Sequence, residues 1–124
     1  MLQLRSVLKV ADNTGAKSVY MIGMPRKGNR HFAYLGETIT VVVKEAIPYG
    51  QVKKSEILTA VIVRTKKEKR RKDGSYIRFD DNACIVLLDK TSKEPKGTRV
   101  VGPIAKEVKD AGFNKLASLA EEIY

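Results

Sequence analysis

Residues 57–88 run ILTAVIVRTKKEKRRKDGSYIRFDDNACIVLL. The opening segment, residues 57–64, is rich in β-branched side chains and predicts a strand. Residues 77–79 and the apolar run at 83–88 continue the same pattern. The dipeptide Asp73-Gly74 between them is a turn signal. We therefore expect a long hairpin whose two legs and tip carry the intervening bases.

Further β-forming segments lie on the N-terminal side of this hairpin. Residues 7–11 and 19–22 flank the turn Asp12-Asn13-Thr14-Gly15, in which Asx side chains bond nearby backbone and glycine takes positive φ. Residues 38–44 predict a strand with Ile39, Val41 and Val43 on one face. Five or more short strands separated by turn residues favour a mainly β fold, a small closed or nearly closed barrel.

The last third of the chain has a different character. Residues 90–97 form a polar loop, and residues 104–111 predict a short helix with Pro103 in its first turn and Gly112 at its C-terminal end. Residues 116–123 predict a second helical segment with apolar side chains on one face, namely Leu116, Leu119, Ala120 and Ile123. We expect one domain over residues 1–124, with the barrel at about 1–90 and the C-terminal loop and helices at about 91–124.

The charge of the chain indicates a polyanionic partner. The 124 residues carry a net charge of +10. Residues 1–80 hold 17 Lys and Arg against 7 Asp and Glu, whereas residues 81–124 hold 7 of each. Such a surface attracts nucleic acid, and no basic amphipathic helix is visible that would favour a membrane. The longest apolar run, six residues at 83–88, is far below the ~20 needed to cross a bilayer. We also expect no secretory signal, because no charged leader precedes a long apolar stretch.

The densest basic cluster is residues 64–72, with seven bases in nine positions. Seven crowded cations repel one another, and phosphates would relieve that repulsion. A solvated charge run is the alternative, which the nearby Lys53, Lys54 and the loop from Arg26 to Arg30 make weaker. Tyr76 and Phe79 could stack on unpaired bases, but packing within the core or the hairpin is the favoured interpretation.

No catalytic or metal site is predicted. The single cysteine, Cys84, lies in an apolar run and is expected to be a buried hydrophobe, and it cannot form an intrachain disulfide or a Cys/His zinc site with the single histidine, His31. Asp80-Asp81 is expected to bond its own backbone in a turn. We therefore expect no enzyme activity, cofactor or small-molecule substrate. Two alternatives stay open: a free single-stranded-RNA-binding barrel (chaperone or translation factor) and a small hydrolase. Few aromatics lie in basic segments, which weakens the first. No general base is apparent beside a nucleophile, which weakens the second.

Read in order, these segments resemble the universal large-subunit ribosomal protein family fourteen, bacterial type. The motifs that carry the resemblance are Val10-Ala11-Asp12-Asn13-Thr14-Gly15-Ala16, Lys44-Glu45-Ala46-Ile47-Pro48, Val52-Lys53-Lys54, Ala60-Val61-Ile62-Val63, Asp73-Gly74, Phe79, Asn82, Ile85-Val86, Pro95, Gly97-Thr98-Arg99 and Gly102-Pro103. Ser55 and Asp81 stand where relatives often carry glycine, Lys72 where proline is common, and Ile85 where valine is expected. These departures affect local turns rather than the overall match, which covers essentially the whole chain.

The resemblance implies a five-stranded β-barrel with a protruding basic hairpin and short C-terminal helices. It implies a cytoplasmic protein of the large ribosomal subunit that binds large-subunit ribosomal RNA, contacts neighbouring large-subunit proteins, and contributes to a bridge with small-subunit RNA. The bases expected to bind ribosomal RNA are Lys44, Lys53, Lys54, Arg64, Lys66, Lys67, Lys69, Arg70, Arg71, Lys72, Arg78, Arg26 and Arg30.

A second surface is implied at Thr98, Arg99 and Lys115, where relatives meet the small subunit or a ribosome-silencing factor. Gly97 permits a tight turn and Pro103 fixes the chain shortly afterwards, so we expect Thr98 and Arg99 at a defined exposed corner. The balanced charge of the last third independently favours protein contact over phosphate binding there.

Overall fold

A computed structural model describes residues 2–24, 32–89 and 91–124. Within these ranges the elements are β1 (Val7–Val10), β2 (Ala16–Gly23), β3 (Thr38–Ala46), β4 (Ile57–Arg64), β5 (Lys69–Arg70), β6 (Tyr76–Ile77), β7 (Ala83–Val86), α1 (Lys106–Asp110) and α2 (Asn114–Leu119). The predicted mainly β character is confirmed. No helix in this part of the chain is long and apolar enough to cross a membrane.

Five strands form a closed barrel in the order β1-β2-β3-β4-β7. Neighbours pair antiparallel except at the closure, where β1 runs parallel to β7 with Lys9 opposite Ala83 and Val10 opposite Cys84. Closure pairs the backbone groups of both terminal strands, which an open sheet would leave exposed at its edges. The predicted barrel is therefore confirmed, with the parallel β1–β7 ladder as the device that closes it.

The two-residue period of the strands sorts apolar side chains into two clusters. In β3 the side chains of Ile39, Val41 and Val43 are buried in the barrel interior, as predicted. In β4 the interior receives Ile62, while its neighbour Val63 packs on the outside against the C-terminal segment. Alternate residues of a strand point to opposite faces, so a strand covered on both sides needs a continuous apolar sequence. This explains why the β4 and β7 sequences show no alternation.

The C-terminal helices are shorter than the sequence predicted. Helix α1 begins at Lys106, so the prediction that Pro103 occupies its first turn is wrong. Gly112, with φ of 97°, follows the helix in the left-handed region, as predicted for its C-terminal end. Helix α2 ends at Leu119, and Ile123 instead forms a parallel bridge with Ile104. Short helices gain little stability from their own hydrogen bonds. The bridge instead pairs the backbone of Ile104 with the carbonyl of Glu122 and the N–H of Tyr124.

The predicted hairpin is present as a small separate sheet. Lys69 pairs with Ile77 and Arg70 with Tyr76. At the turn, Gly74 has a φ of 91°, and Asp73 Oδ1 accepts hydrogen bonds from the backbone and hydroxyl of Ser75. The Asp-Gly signal was therefore sufficient to locate the turn.

Ser55→Gly is expected to stabilise the protein. Ser55 has a φ of 70° in the turn before β4, where an L-residue costs roughly 1–2 kcal/mol. The greater freedom of glycine in the unfolded chain offsets part of the relief. We therefore expect the free energy of unfolding to rise by about 0.5–1 kcal/mol in urea titrations. Ser18→Gly, within β2, should lower it, and a lower value for Ser55→Gly as well would contradict the strain at this position.

Candidate functional site

The hairpin presents most of its bases to solvent. Lys69 is half-buried, and the exposed ones are Lys66, Lys67, Arg70, Lys72 and Arg78. Glu68 is the one acid in the run, and its Oε1 lies 3.0 Å from Lys67 Nζ. The pKa of Glu68 lies below its usual value because its own backbone N–H and Lys67 favour the carboxylate. With Asp73 at the tip, two carboxylates lie among these cations, and the hairpin stays strongly positive.

Arg64 and Arg71 are placed differently from the other bases. Arg64 Nε lies 3.2 Å from Asp81 Oδ1, and its side chain is 12% exposed. Arg71 Nε donates to Glu107 Oε1 at 2.9 Å, and the same guanidinium donates to the backbone carbonyl of Tyr124. These two members of the basic run are therefore partly buried against the rest of the fold, although the resemblance implied a protruding basic hairpin. Because their charges are already paired, both arginines join the hairpin to the rest of the fold.

The Asp80-Asp81 prediction also needs correction. Asp81 does not serve its own turn but pairs with Arg64 and lies 4.0 Å from Lys9 Nζ. The adjacent Asn82 accepts a hydrogen bond through Oδ1 from the backbone N–H of Lys66 at 2.9 Å. These side chains hold the end of the hairpin that joins the barrel.

The other predicted RNA-binding bases lie elsewhere on the barrel. Lys53 and Lys54 are exposed in the turn before β4. Lys44, on β3, is half-buried, with its ammonium 5.1 Å from the centre of the Tyr20 ring. Arg26, Arg30 and His31 fall outside the described residues.

The aromatic side chains divide between core and surface. Phe79 packs against the barrel interior, as predicted. Tyr76 is 64% exposed, so it does not pack in the core and lies on the surface of the hairpin. Tyr49, at the turn after β3, is 98% exposed. Nothing in the local pattern distinguishes an outward-pointing aromatic from an inward one at such positions.

Thr98 and Arg99 form an exposed corner, as the sequence predicted. Asn13 Oδ1 accepts hydrogen bonds from the backbone N–H groups of both residues, at 2.9 and 3.2 Å. Gly97 is buried beside this contact, and a Cβ there would lie 2.6 Å from Asn13 Oδ1. Gly97 is thus needed for close approach rather than for positive φ. Lys115 is exposed, with Nζ 3.9 Å from Glu94 Oε2.

Residues 12–15, which we call the 12–15 turn, join several distant segments. Asp12 Oδ2 accepts a hydrogen bond from the backbone N–H of Val86 at 3.0 Å, and burial raises the pKa of its carboxyl. The carbonyls of Thr14 and Gly15 accept from the backbone N–H groups of Gln51 and Ile47, at 2.7 and 2.9 Å. The sequence predicted a local turn, and nothing in it indicated these long-range contacts.

Cys84 is buried, and burial raises the pKa of its thiol. A thiol is nucleophilic as its thiolate, and the raised pKa disfavours that form. Cys84 is therefore a buried core side chain, as predicted. Among the described residues, no group of three or more His, Cys, Asp or Glu side chains is placed to hold a metal ion.

A closed five-stranded barrel with a cationic hairpin and further exposed lysines on its turns is typical of small basic proteins that assemble with RNA. Comparison with known proteins narrows this class. The chain matches the family described as ribosomal protein L14p/L23e over residues 1–124, and it belongs to that family.

Two curated relatives illustrate the similarity. The chain is 57% identical to the large ribosomal subunit protein uL14 of Aquifex aeolicus (strain VF5) and 56% identical to that of Aquifex pyrophilus. Each comparison spans 123 residues and 99% of both chains. The protein is therefore a structural component of the large subunit in the cytoplasmic ribosome, not an enzyme, and its partners are ribosomal RNA and ribosomal proteins.

Proposed function

We propose that exposed bases of this chain bind the phosphates of large-subunit ribosomal RNA directly. The observation that carries the proposal is the hairpin, where five exposed bases accompany two acids, Glu68 and Asp73. Lys53 and Lys54 extend the same charge to the turn before β4. Phosphate contacts of this kind supply affinity without reading sequence. Arg64 and Arg71 are left out of this contact set because Asp81 and Glu107 already neutralise them.

We further propose that the corner at residues 97–99 contacts small-subunit RNA and so contributes to an intersubunit bridge. The balanced charge of the last third argues against extended phosphate binding, but a single contact needs only one cation, and Arg99 is exposed with its backbone N–H held by Asn13. A planar guanidinium can make two directed bonds to one phosphate. A ribosome-silencing factor that docks on Thr98, Arg99 and Lys115 would compete with this contact.

The salt dependence of RNA binding tests the first proposal. If about six side chains contact phosphates, the logarithm of the affinity should fall with the logarithm of salt concentration at a slope of about −4 to −5. Filter binding of the purified chain to large-subunit ribosomal RNA between low and high salt measures this slope. A flat response would contradict the proposal.

Sedimentation of cell lysate separates the proposed role from the free RNA-binding alternative. Detection of the chain with large subunits is the expected result. Detection only in the slowly sedimenting free pool would favour a chaperone or translation factor instead.

A further inference from the structure

The side chain of Asn13 bonds to a loop 85 residues further along the chain. Its Oδ1 accepts from the backbone N–H groups of Thr98 and Arg99, and its Nδ2 donates to Thr98 Oγ1 at 2.8 Å. Two consecutive amides converge on one oxygen, which restrains the two peptide planes on either side of Thr98. The direction in which the Arg99 side chain leaves the backbone is thereby set.

The loop is anchored to the barrel on both sides of this contact. The backbone N–H of Lys96 donates to the carbonyl of Val86 at 2.9 Å, and that of Val101 donates to the carbonyl of Ala11 at 2.7 Å. These bonds hold the two ends of the segment without Asn13. Asn13 therefore acts on the exposed residues between the anchors, so its loss should change their orientation more than the stability of the fold.

The backbone of Asn13 is itself held in place by the 12–15 turn. Its neighbour Asp12 accepts hydrogen bonds from the backbone N–H and hydroxyl of Thr14, at 3.1 and 2.7 Å, and from the backbone of Val86. Gly97 completes the fit, because any side chain there would meet Asn13 Oδ1. The contact is thus built from both sides.

We infer that Asn13 is a positioning residue that aims Arg99 at a phosphate of small-subunit RNA. The inference rests on the bridge contact proposed above. An amide suits this task because it offers an acceptor for the two backbone N–H groups and a donor for the Thr98 hydroxyl. Aspartate would keep the acceptor and lose the donor, and alanine would lose both.

A double-mutant cycle in large subunits reconstituted with variant chains tests the inference. Association with small subunits should be weakened roughly three- to tenfold by Asn13→Ala and at least as much by Arg99→Ala. The double variant should be no weaker than Arg99→Ala alone, because Asn13 then has no cation to position. Additive losses, or normal association of Asn13→Ala beside a defective Arg99→Ala, would overturn the inference and leave the bridge proposal standing. Normal association of Arg99→Ala would overturn both.

Gly97→Ala gives an independent perturbation if Asn13→Ala folds poorly. It keeps Asn13 but places a carbon 2.6 Å from its Oδ1, so we expect a similar weakening of association. The matched control is Gly23→Ala, where no described atom lies within 4 Å of the added carbon and association should be normal. Gly97→Ala with normal association would overturn the inference.

Rescue and amide exchange separate positioning from a general structural role. Asn13→Asp should retain most of the association, and hydrogen exchange at the Thr98 and Arg99 amides should be faster in Asn13→Ala than in Asn13→Asp. Equal exchange in both would contradict the role of Oδ1. If the variants keep small-subunit association but lose a protein partner at this corner, the assignment of the partner as RNA is overturned.

Discussion

Replacing Lys66, Lys67 and Arg70 together by glutamine should weaken binding to large-subunit ribosomal RNA by two to three orders of magnitude. Each phosphate contact changes affinity by roughly eightfold over a tenfold change in salt concentration. Three contacts therefore contribute roughly 500-fold at 0.1 M salt relative to 1 M salt. The slope of log affinity against log salt should become shallower by about 2–3 units. The melting temperature should change little, because all three side chains are exposed. Filter binding and thermal denaturation measure these quantities.

The matched control removes the same charge elsewhere. Lys17, Lys106 and Lys109 are exposed and lie outside the hairpin, and their joint replacement by glutamine should reduce affinity much less. An equal loss in this control would show that net charge, rather than the hairpin, attracts the RNA. Arg71 is kept in both variants, since removing it would leave Glu107 without its partner.

Gly15→Ala should destabilise the protein by more than about 3 kcal/mol. Gly15 has a φ of 102°, and an added Cβ would lie 2.6 Å from the Cα of Gly50. The obstacle is backbone, and the hydrogen bond from the Gln51 N–H to the Thr14 carbonyl holds it next to the turn. Neither rotamer change nor a small shift relieves such a clash, so the 12–15 turn would have to move. Urea denaturation of the purified chain measures the loss.

Gly74→Ala separates the two causes of this loss. Gly74 has a φ of 91° at the hairpin tip, but no described atom lies within 4 Å of an added Cβ. Its replacement should therefore cost only the backbone strain, roughly 1–2 kcal/mol. Equal losses at both glycines would mean that the close approach to Gly50 contributes nothing.

The strands could be predicted because their signal is local. Alternation placed Ile39, Val41 and Val43 on one face, and they are buried together in the barrel. The helix ends were predicted less accurately than the strands, because the pairing of Ile123 with Ile104 replaces a helical turn that periodicity had favoured. A long-range backbone bridge leaves no trace in the residues on either side of it.

The candidate site was predictable in composition but not in geometry. The exposed bases of the hairpin follow from the run of charges itself. The pairing of Arg71 with Glu107 joins residues 36 apart, and the bonds from Asn13 to Thr98 and Arg99 join residues 85 and 86 apart. Such pairs are set by the tertiary fold. The sequence around Arg71 and around Asn13 therefore gave no sign of their distant partners.

The parallel ladder between β1 and β7 has a consequence for the growing chain. Strand β1 is among the first parts to be synthesised, but its partner residues Ala83 and Cys84 follow only after most of the sequence has been added. Contacts between distant segments form slowly because a long loop must first be ordered. A nascent chain that has not reached β7 therefore carries unpaired backbone along both β1 and β4. Such edges are where strands from separate copies associate, so incomplete chains of this protein are its most aggregation-prone form.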